Sequence, residues 1–231
     1  MPTITAKSER ADRIEQIAAR FGSRWHQGYA RGKLKHDPVF DDAVIWARRA
    51  ALAAGDAVLL DAGCGLGLLA HWLRAHDVAL PVRGIDPDAK KIAAARAAAE
   101  RGGLRDVIFE AGDARDAVGV FPGSVFLLDV LHYLPLADRD RLLERAAAAA
   151  PPCAVIYIRN GLRDQSWRHR FTRMEEWFVR FSGWIPTRRF RLPDAAEITR
   201  LFPPEAFEND TRPLWGRTPF NSHRLAFVRR R

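Results

Sequence analysis

The chain has 231 residues, 48% of them hydrophobic, enough to bury one substantial core without dividing into two domains, and its 37 basic against 28 acidic side chains leave a net charge of +9 that suits acidic partners: nucleic acid, an anionic membrane surface or an acidic protein. Only Cys64 and Cys153 are present, which excludes a disulfide framework and favours a reducing setting. The opening Met1-Pro2-Thr3-Ile4 lacks a signal pattern, and the longest apolar run, Ala146 to Ile158, holds Pro151 and Pro152 and is too short to span a bilayer, so a soluble cytoplasmic protein is expected.

Residues 1–54 read as a helical cap, with one helix from about Ser8 to Phe21 and another from about Asp41 to Ala54. Between them lies a segment rich in Gly, His, Lys and Trp, of which Tyr29 to Pro38 is expected as a basic loop able to close over a site. From Val58 onward the strand and helix patterns alternate. Strands are predicted at Val58 to Asp61, Val82 to Asp86, Val107 to Glu110, Ser124 to Asp129 and Ala154 to Arg159. Helices are predicted up to His76, from Asp88 to Arg101 and from Leu136 to Ala149. Repeated β-α units of this length imply a doubly wound α/β fold, a mostly parallel sheet with helices on both faces. Residues 161–192 form an aromatic and basic insertion after the fifth strand, followed by a helix from Pro193 to Phe202. Two further strands, Ala206 to Trp215 and Arg224 to Arg229, are joined through the turn signals Gly216 and Pro219.

The chemistry concentrates where the first strand meets the first crossover helix, in Asp61-Ala62-Gly63-Cys64-Gly65-Leu66-Gly67. An apolar strand, three glycines and then Leu68, Leu69, Trp72 and Leu73 at helical spacing make a loop that admits a ligand close to its backbone. Gly65 to Ala70 also fits a dinucleotide-binding G-x-G-x-x-A. Here, however, the carboxylate of Asp61 closes the strand ahead of the glycines, where a diphosphate would have to lie, and this favours a cationic ligand. Further aspartates end the next three strands: Asp86, 19 positions after Gly67 and suited to accept two hydrogen bonds from a ribose diol, then Asp113 and Asp129. Asp88 reads as a helix N-cap. No metal site is expected.

The D-x-G-x-G-x-G arrangement, with acidic residues at successive strand ends over Val58 to Arg159, resembles the class I S-adenosylmethionine-dependent methyltransferases. The resemblance implies a Rossmann-like sheet of seven strands ending in an antiparallel pair, and S-adenosylmethionine as cofactor. It implies that Asp61, Gly63, Cys64, Gly65 and Gly67 surround the methionine portion. Asp86, followed by Pro87, would bind the ribose hydroxyls, Asp113 with the backbone of Ala114 would meet the adenine edge, and Asp129 would lie beside the methionine end. Arg31 or Lys33 would suit the cofactor's carboxylate. Residues 55–231 would then be the cofactor-binding domain, 1–54 its cap and 161–192 a substrate lid.

Beyond the cofactor, Asp129-Val130-Leu131-His132-Tyr133-Leu134-Pro135 is the loop expected to face the transferred methyl group. His132, with Tyr133 beside it, is the candidate catalytic residue; local hydrogen bonding or packing against adenine is the competing role for the ring. The Asn-Pro-Pro-aromatic motif of amino-group methylation on bases is absent here. In the insertion, Phe171, Met174, Phe178 and Phe181 share a helical face among Arg168, Arg170, Arg173 and Arg180. A greasy wall with basic rims suits a small-molecule, aromatic or acyl acceptor, free or delivered on a carrier protein or at a membrane surface, while RNA remains a second acceptor class. The same residues would also serve a non-catalytic protein that only binds the cofactor, and the glycine spacing leaves room for nicotinamide binding.

Overall fold

The computed structural model describes residues 4–52, 57–163, 192–216 and 221–231. Seven strands form one sheet in the order β3-β2-β1-β4-β5-β7-β6, with β1 Leu59–Ala62, β2 Val82–Asp86, β3 Val107–Ala111, β4 Ser124–Leu128, β5 Val155–Gly161, β6 Phe207–Pro213 and β7 Ser222–Arg229. The first five strands are parallel, and β7 runs antiparallel to both β5 and β6. The chain steps outward from β1 to β3 and then returns to place β4 on the other side of β1, which opens a crevice at the carboxyl ends of β1 and β4.

Strand residues alternate between two apolar layers, as a period of two requires. Leu59, Phe126, Val155 and Tyr157 face one layer with α3 (Val39–Ala51), α4 (Leu68–Ala75) and α5 (Ala89–Arg101). Leu60, Val125, Leu127, Ile156 and Ile158 face the other, with α6 (Ala114–Val118), α7 (Leu136–Ala149) and α8 (Ala195–Thr199). The N-terminal helices belong to the first layer: Ile17 of α1 (Ile4–Ala19) and Trp46 of α3 lie in the same apolar cluster as Leu69 and Val82. Trp72 of α4 donates its indole N–H to Asp41 of α3 at 3.1 Å, and the Tyr157 hydroxyl in β5 donates to Asp42 at 2.8 Å.

The expected basic loop between the first two helices is instead a helix, α2 (Arg24–His36). Ser23 caps it by accepting the His26 N–H, and Ala30 and Leu34, one turn apart, are buried. That anchored stripe outweighs the helix cost of Gly28 and Gly32. A short helix between β3 and β4, α6, was not expected. The helix expected over Pro193 to Phe202 is confined to Ala195–Thr199, where Asp194 and Glu197 form a capping box. The aromatic insertion, with its seven large side chains from Trp167 to Trp184, lies outside the described residues, as do Ala54 and Pro219. Among the described residues no helix is long and apolar enough to cross a membrane, and no group of side chains is arranged to hold a metal.

Candidate functional site

The glycine loop is built from left-handed backbone: φ is +85° at Gly63, +54° at Gly65 and +71° at Gly67. Gly63 and Cys64 both donate their backbone N–H to the Ile85 carbonyl, at 2.7 and 3.0 Å, which fixes the loop against the end of β2. A side chain at Gly67 would meet the ring of Phe109 at 2.3 Å, so this position is closed by packing. Gly65 differs, because a Cβ there would find nothing within 4 Å. Its backbone is therefore strained for any other residue yet faces open space, as a ligand cradle requires.

Two buried carboxylates flank this opening. Asp86 accepts the Gly65 N–H at 2.9 Å with one oxygen and the Asp88 N–H at 2.9 Å with the other. Asp61, 2% exposed in β1, has its pKa raised to about 7 by burial and then by the nearby charge of Asp86. A cation placed here would relieve both penalties, so the donor set fits the ammonium- and sulfonium-bearing end of S-adenosylmethionine. Burial, reinforced by the same two carboxylates, pushes the Cys64 thiol well up, so Cys64 lines the loop as an unreactive neutral group.

The other predicted residues fall into two groups. Pro87 is exposed beside Asp86, and Asp88 caps α5, accepting the Lys90 and Lys91 N–H groups. Asp113 also caps a helix, α6, and its carboxylate is held by Arg115, whose Nε and Nη2 reach it at 2.9 and 2.5 Å; Ala114 next to it is buried. This guanidinium bond holds the Asp113 carboxyl below the ordinary value. Arg31 is spent elsewhere, its Nε on Glu15 of α1 at 2.8 Å.

Lys33, by contrast, reaches the site. Its ammonium lies 3.2 Å from Asp37 and 3.8 Å from Asp129, the residue that follows β4 with φ +59°. Arg159 of β5 completes the cluster, pairing with Asp129 through Nη1 and with Asp37 through Nη2 at 3.2 Å. Burial opposes every one of these charges, yet the alternation of sign wins. Burial acts against the charged forms of Asp129, Lys33 and Arg159, but Arg159 and Lys33 hold Asp129 below its usual pKa, while Asp129 and Asp37 hold Lys33 and Arg159 above theirs. Arg159 and Asp37 are not legible as site members in the sequence, because only the folded chain brings positions 122 apart into contact.

His132 lies in the one-turn helix that follows Asp129, its ring 4.1 Å from that of Tyr133. Its Nδ1 is 3.1 Å from Asn160 Oδ1, and Asn160 Nδ2 donates to the Gly161 carbonyl at 2.7 Å. That second bond orients the amide, so the oxygen facing His132 accepts from Nδ1–H and Nε2 is the acceptor nitrogen of the ring. Burial lowers the His132 pKa, against the attraction of Asp129, and keeps the imidazole neutral near pH 7. Tyr133 is 46% exposed at the same mouth, with Asp129, Lys33, Tyr29 and Asp86 close enough to act on its hydroxyl. Along α2, Trp25 and Tyr29 stack with ring centres 5.6 Å apart and interplanar angle 9°, both partly exposed, with Tyr29 one turn before Lys33.

A family model described as a methyltransferase domain matches residues 59–152, which include the glycine loop and all four strand-end aspartates. The chain is 31% identical over 112 residues to an uncharacterized RNA methyltransferase of Halalkalibacterium halodurans, an alignment covering 48% of this chain and 24% of that protein. The chain thus spans about a quarter of the length of the curated relatives it matches. Among solved structures it is similar to the magnesium protoporphyrin IX methyltransferase of Synechocystis with bound S-adenosylhomocysteine, at TM-score 0.64 and 21% identity over 94% of this chain and 93% of that one. An O-methyltransferase family protein from Burkholderia thailandensis aligns at TM-score 0.62 and 20% identity, covering 94% of this chain and 63% of the other.

Proposed function

We propose that the chain, whose residues 59–152 match a methyltransferase-domain model, is a class I S-adenosylmethionine-dependent methyltransferase that transfers a methyl group to a small-molecule acceptor of aromatic or acyl type. The observation that carries the transferase reading is the open left-handed Gly65 flanked by Asp61 and Asp86, a cradle for a cation-bearing nucleoside at the switch point of the sheet. Bound there, S-adenosylmethionine supplies a methyl group on a sulfonium, activated for in-line attack. In this reading Asp86 serves the ribose, Asp61 the positive end, and Lys33 the cofactor's carboxylate, while Asp113 and Ala114 border the adenine.

The acceptor side rests on His132 and on the aromatic surfaces of Trp25, Tyr29 and Tyr133. A neutral imidazole whose Nδ1–H is engaged by Asn160 presents Nε2 for proton removal from a hydroxyl. The partly exposed rings offer a flat apolar surface, and holding the two reactants at near-attack distance itself contributes about 7 to 11 kcal/mol. RNA is a second acceptor class, favoured by the name of the curated relatives and by the net charge of +9.

Incubation of the protein with methyl-labelled S-adenosylmethionine and a panel of phenols, acyl carboxylates and short RNAs tests this. Label on a phenol, lost in His132→Ala with cofactor binding retained, or on a carboxylate, which is already ionised and needs no base, is the expected result. Label on RNA alone overturns the small-molecule reading and leaves the transferase reading intact.

A further inference from the structure

The opposite end of the sheet carries a second constellation. A cavity of about 570 Å³ opens where α1, the last turns of α4 and α5 and the turns leading into β2 and β3 converge, and Arg13, Gln16, Arg20, Arg74, Arg105 and Asp106 supply its polar lining. Ala79 and Asp106, which precede β2 and β3, lie in this lining, so the cavity sits at the amino ends of parallel strands whose carboxyl ends hold the glycine loop. The length of β2 alone, five residues, separates the two by about 16 Å.

Four guanidinium groups against one carboxylate make this lining strongly positive, and the chain does little to offset it. Arg74 donates to the Val78 carbonyl at 2.6 Å and to those of Arg105 and Asp106 at 3.1 and 3.3 Å, so it covers backbone that would otherwise present negative dipole to the cavity. Arg20 lies 3.0 Å from Nδ1 of His71, and Arg13 lies 3.4 Å from Nδ1 of His76. Both histidines are held neutral, first by burial and then by the arginines themselves, with His71 lowered to about 3. A neutral ring accepts a hydrogen bond and cancels no charge. No ion pair among the described residues includes Arg13, Arg20, Arg74 or Arg105. Elsewhere on the surface Arg10, Arg31, Arg49, Arg83 and Arg115 each have a carboxylate within 3 Å.

Like charges gathered in a concavity repel one another and focus a positive potential, an arrangement stabilised by an anion that takes several guanidinium forks at once. Phosphate oxygens match those forks, and the volume falls in the range of a ligand larger than a single phosphate. We propose that the arginine-lined cavity at the amino ends of β2 and β3 binds phosphate groups, either a free diphosphate or nucleotide, or the backbone of an RNA. The site is separate from the methyl-transfer centre, and its existence does not depend on which acceptor is methylated.

Titration of the full chain with inorganic pyrophosphate, and with a short single-stranded RNA whose release by pyrophosphate is followed by anisotropy, tests the assignment. Comparison is with Arg13→Gln/Arg105→Gln and with Arg105→Gln alone, the exposed arginine that makes no side-chain hydrogen bond among the described residues. Pyrophosphate affinity is expected to fall about tenfold or more in the double variant, with S-adenosylhomocysteine binding and melting temperature unchanged. If RNA binds, is displaced by pyrophosphate, and the slope of log affinity against log salt drops by about 0.7 per arginine removed, the phosphate is that of RNA. If pyrophosphate binds and RNA does not, the ligand is a free phosphate compound. Absence of pyrophosphate binding to the unsubstituted protein, or equal affinity in all three proteins, overturns the proposal.

Discussion

Asp86 accepts the backbone N–H of Gly65 at 2.9 Å, so the end of the second strand holds the loop that follows the first. One carboxylate thereby shapes the cradle and lines it. Asp86→Ala removes two charge-assisted hydrogen bonds to backbone, each worth about 1.5 to 3 kcal/mol, together with the proposed ribose partner. Calorimetry is expected to show S-adenosylhomocysteine affinity down by about a hundredfold; an unchanged constant defeats the site assignment.

Two glycines of the loop separate packing from binding. Gly67→Ala forces a Cβ to 2.3 Å from the Phe109 ring at a φ of +71° and is expected to cost about 3 kcal/mol of stability. Gly65→Ala meets no protein atom within 4 Å, costs about 1 kcal/mol of backbone strain, and is expected to reduce ligand affinity at least tenfold. A Gly65 variant that melts normally and binds S-adenosylhomocysteine normally contradicts the cradle.

Asp61 gives the ligand-free protein a pH signature. Folded Asp61 keeps its proton up to about pH 7, whereas the unfolded chain releases it near 3.8. The folded state therefore binds more protons in that window, and stability falls as pH rises through it, by up to about 4 kcal/mol. A ligand ammonium reverses the preference, so S-adenosylhomocysteine affinity is expected to rise with pH up to about 7 and then level. Asp61→Asn should flatten both profiles.

Arg159 answers for two carboxylates, Asp37 and Asp129. Arg159→Met leaves Lys33 as their remaining cation and is expected to destabilise the protein by about 3 kcal/mol. In a double-mutant cycle with Asp37→Asn, a coupling below about 0.5 kcal/mol would argue against the pair.

Asn160 sets the tautomer of His132, and its substitution is expected to act on rate more than on binding. Asn160→Ala should lower kcat with KM nearly constant, and Asn160→Asp, whose charge favours the imidazolium, should move the acidic limb of the pH-rate profile upward. A change confined to melting temperature would reduce Asn160 to a structural role.

Much of this architecture is legible in the sequence, because it is written locally. The apolar runs of β1 to β5 sit within a residue or two of their expected places, and the glycines and Asp61 and Asp86 declare themselves by following strands. The helix α2 is not legible from composition, since Gly28, Gly32 and a scatter of basic and histidine residues disguise it; Ser23 followed by Ala30 and Leu34 at a four-residue interval is the signal that marks it. Arg159 reads as the last residue of an ordinary strand and Asn160 as the start of the connection after it. Their roles come from pairing with Asp37 and His132, contacts that no local pattern encodes.

The strand order carries a consequence for the time course of folding. The buried strand β5 pairs with β7 on its outer edge, and Ser222 is made about sixty positions after Gly161. At ribosomal speed that interval lasts about 3 to 12 s, during which Ile156 and Ile158 belong to an unprotected edge. β6, made before β7, has no partner until β7 arrives to lie between it and the sheet. Closure of this side is therefore a single late event, set by the arrival of β7.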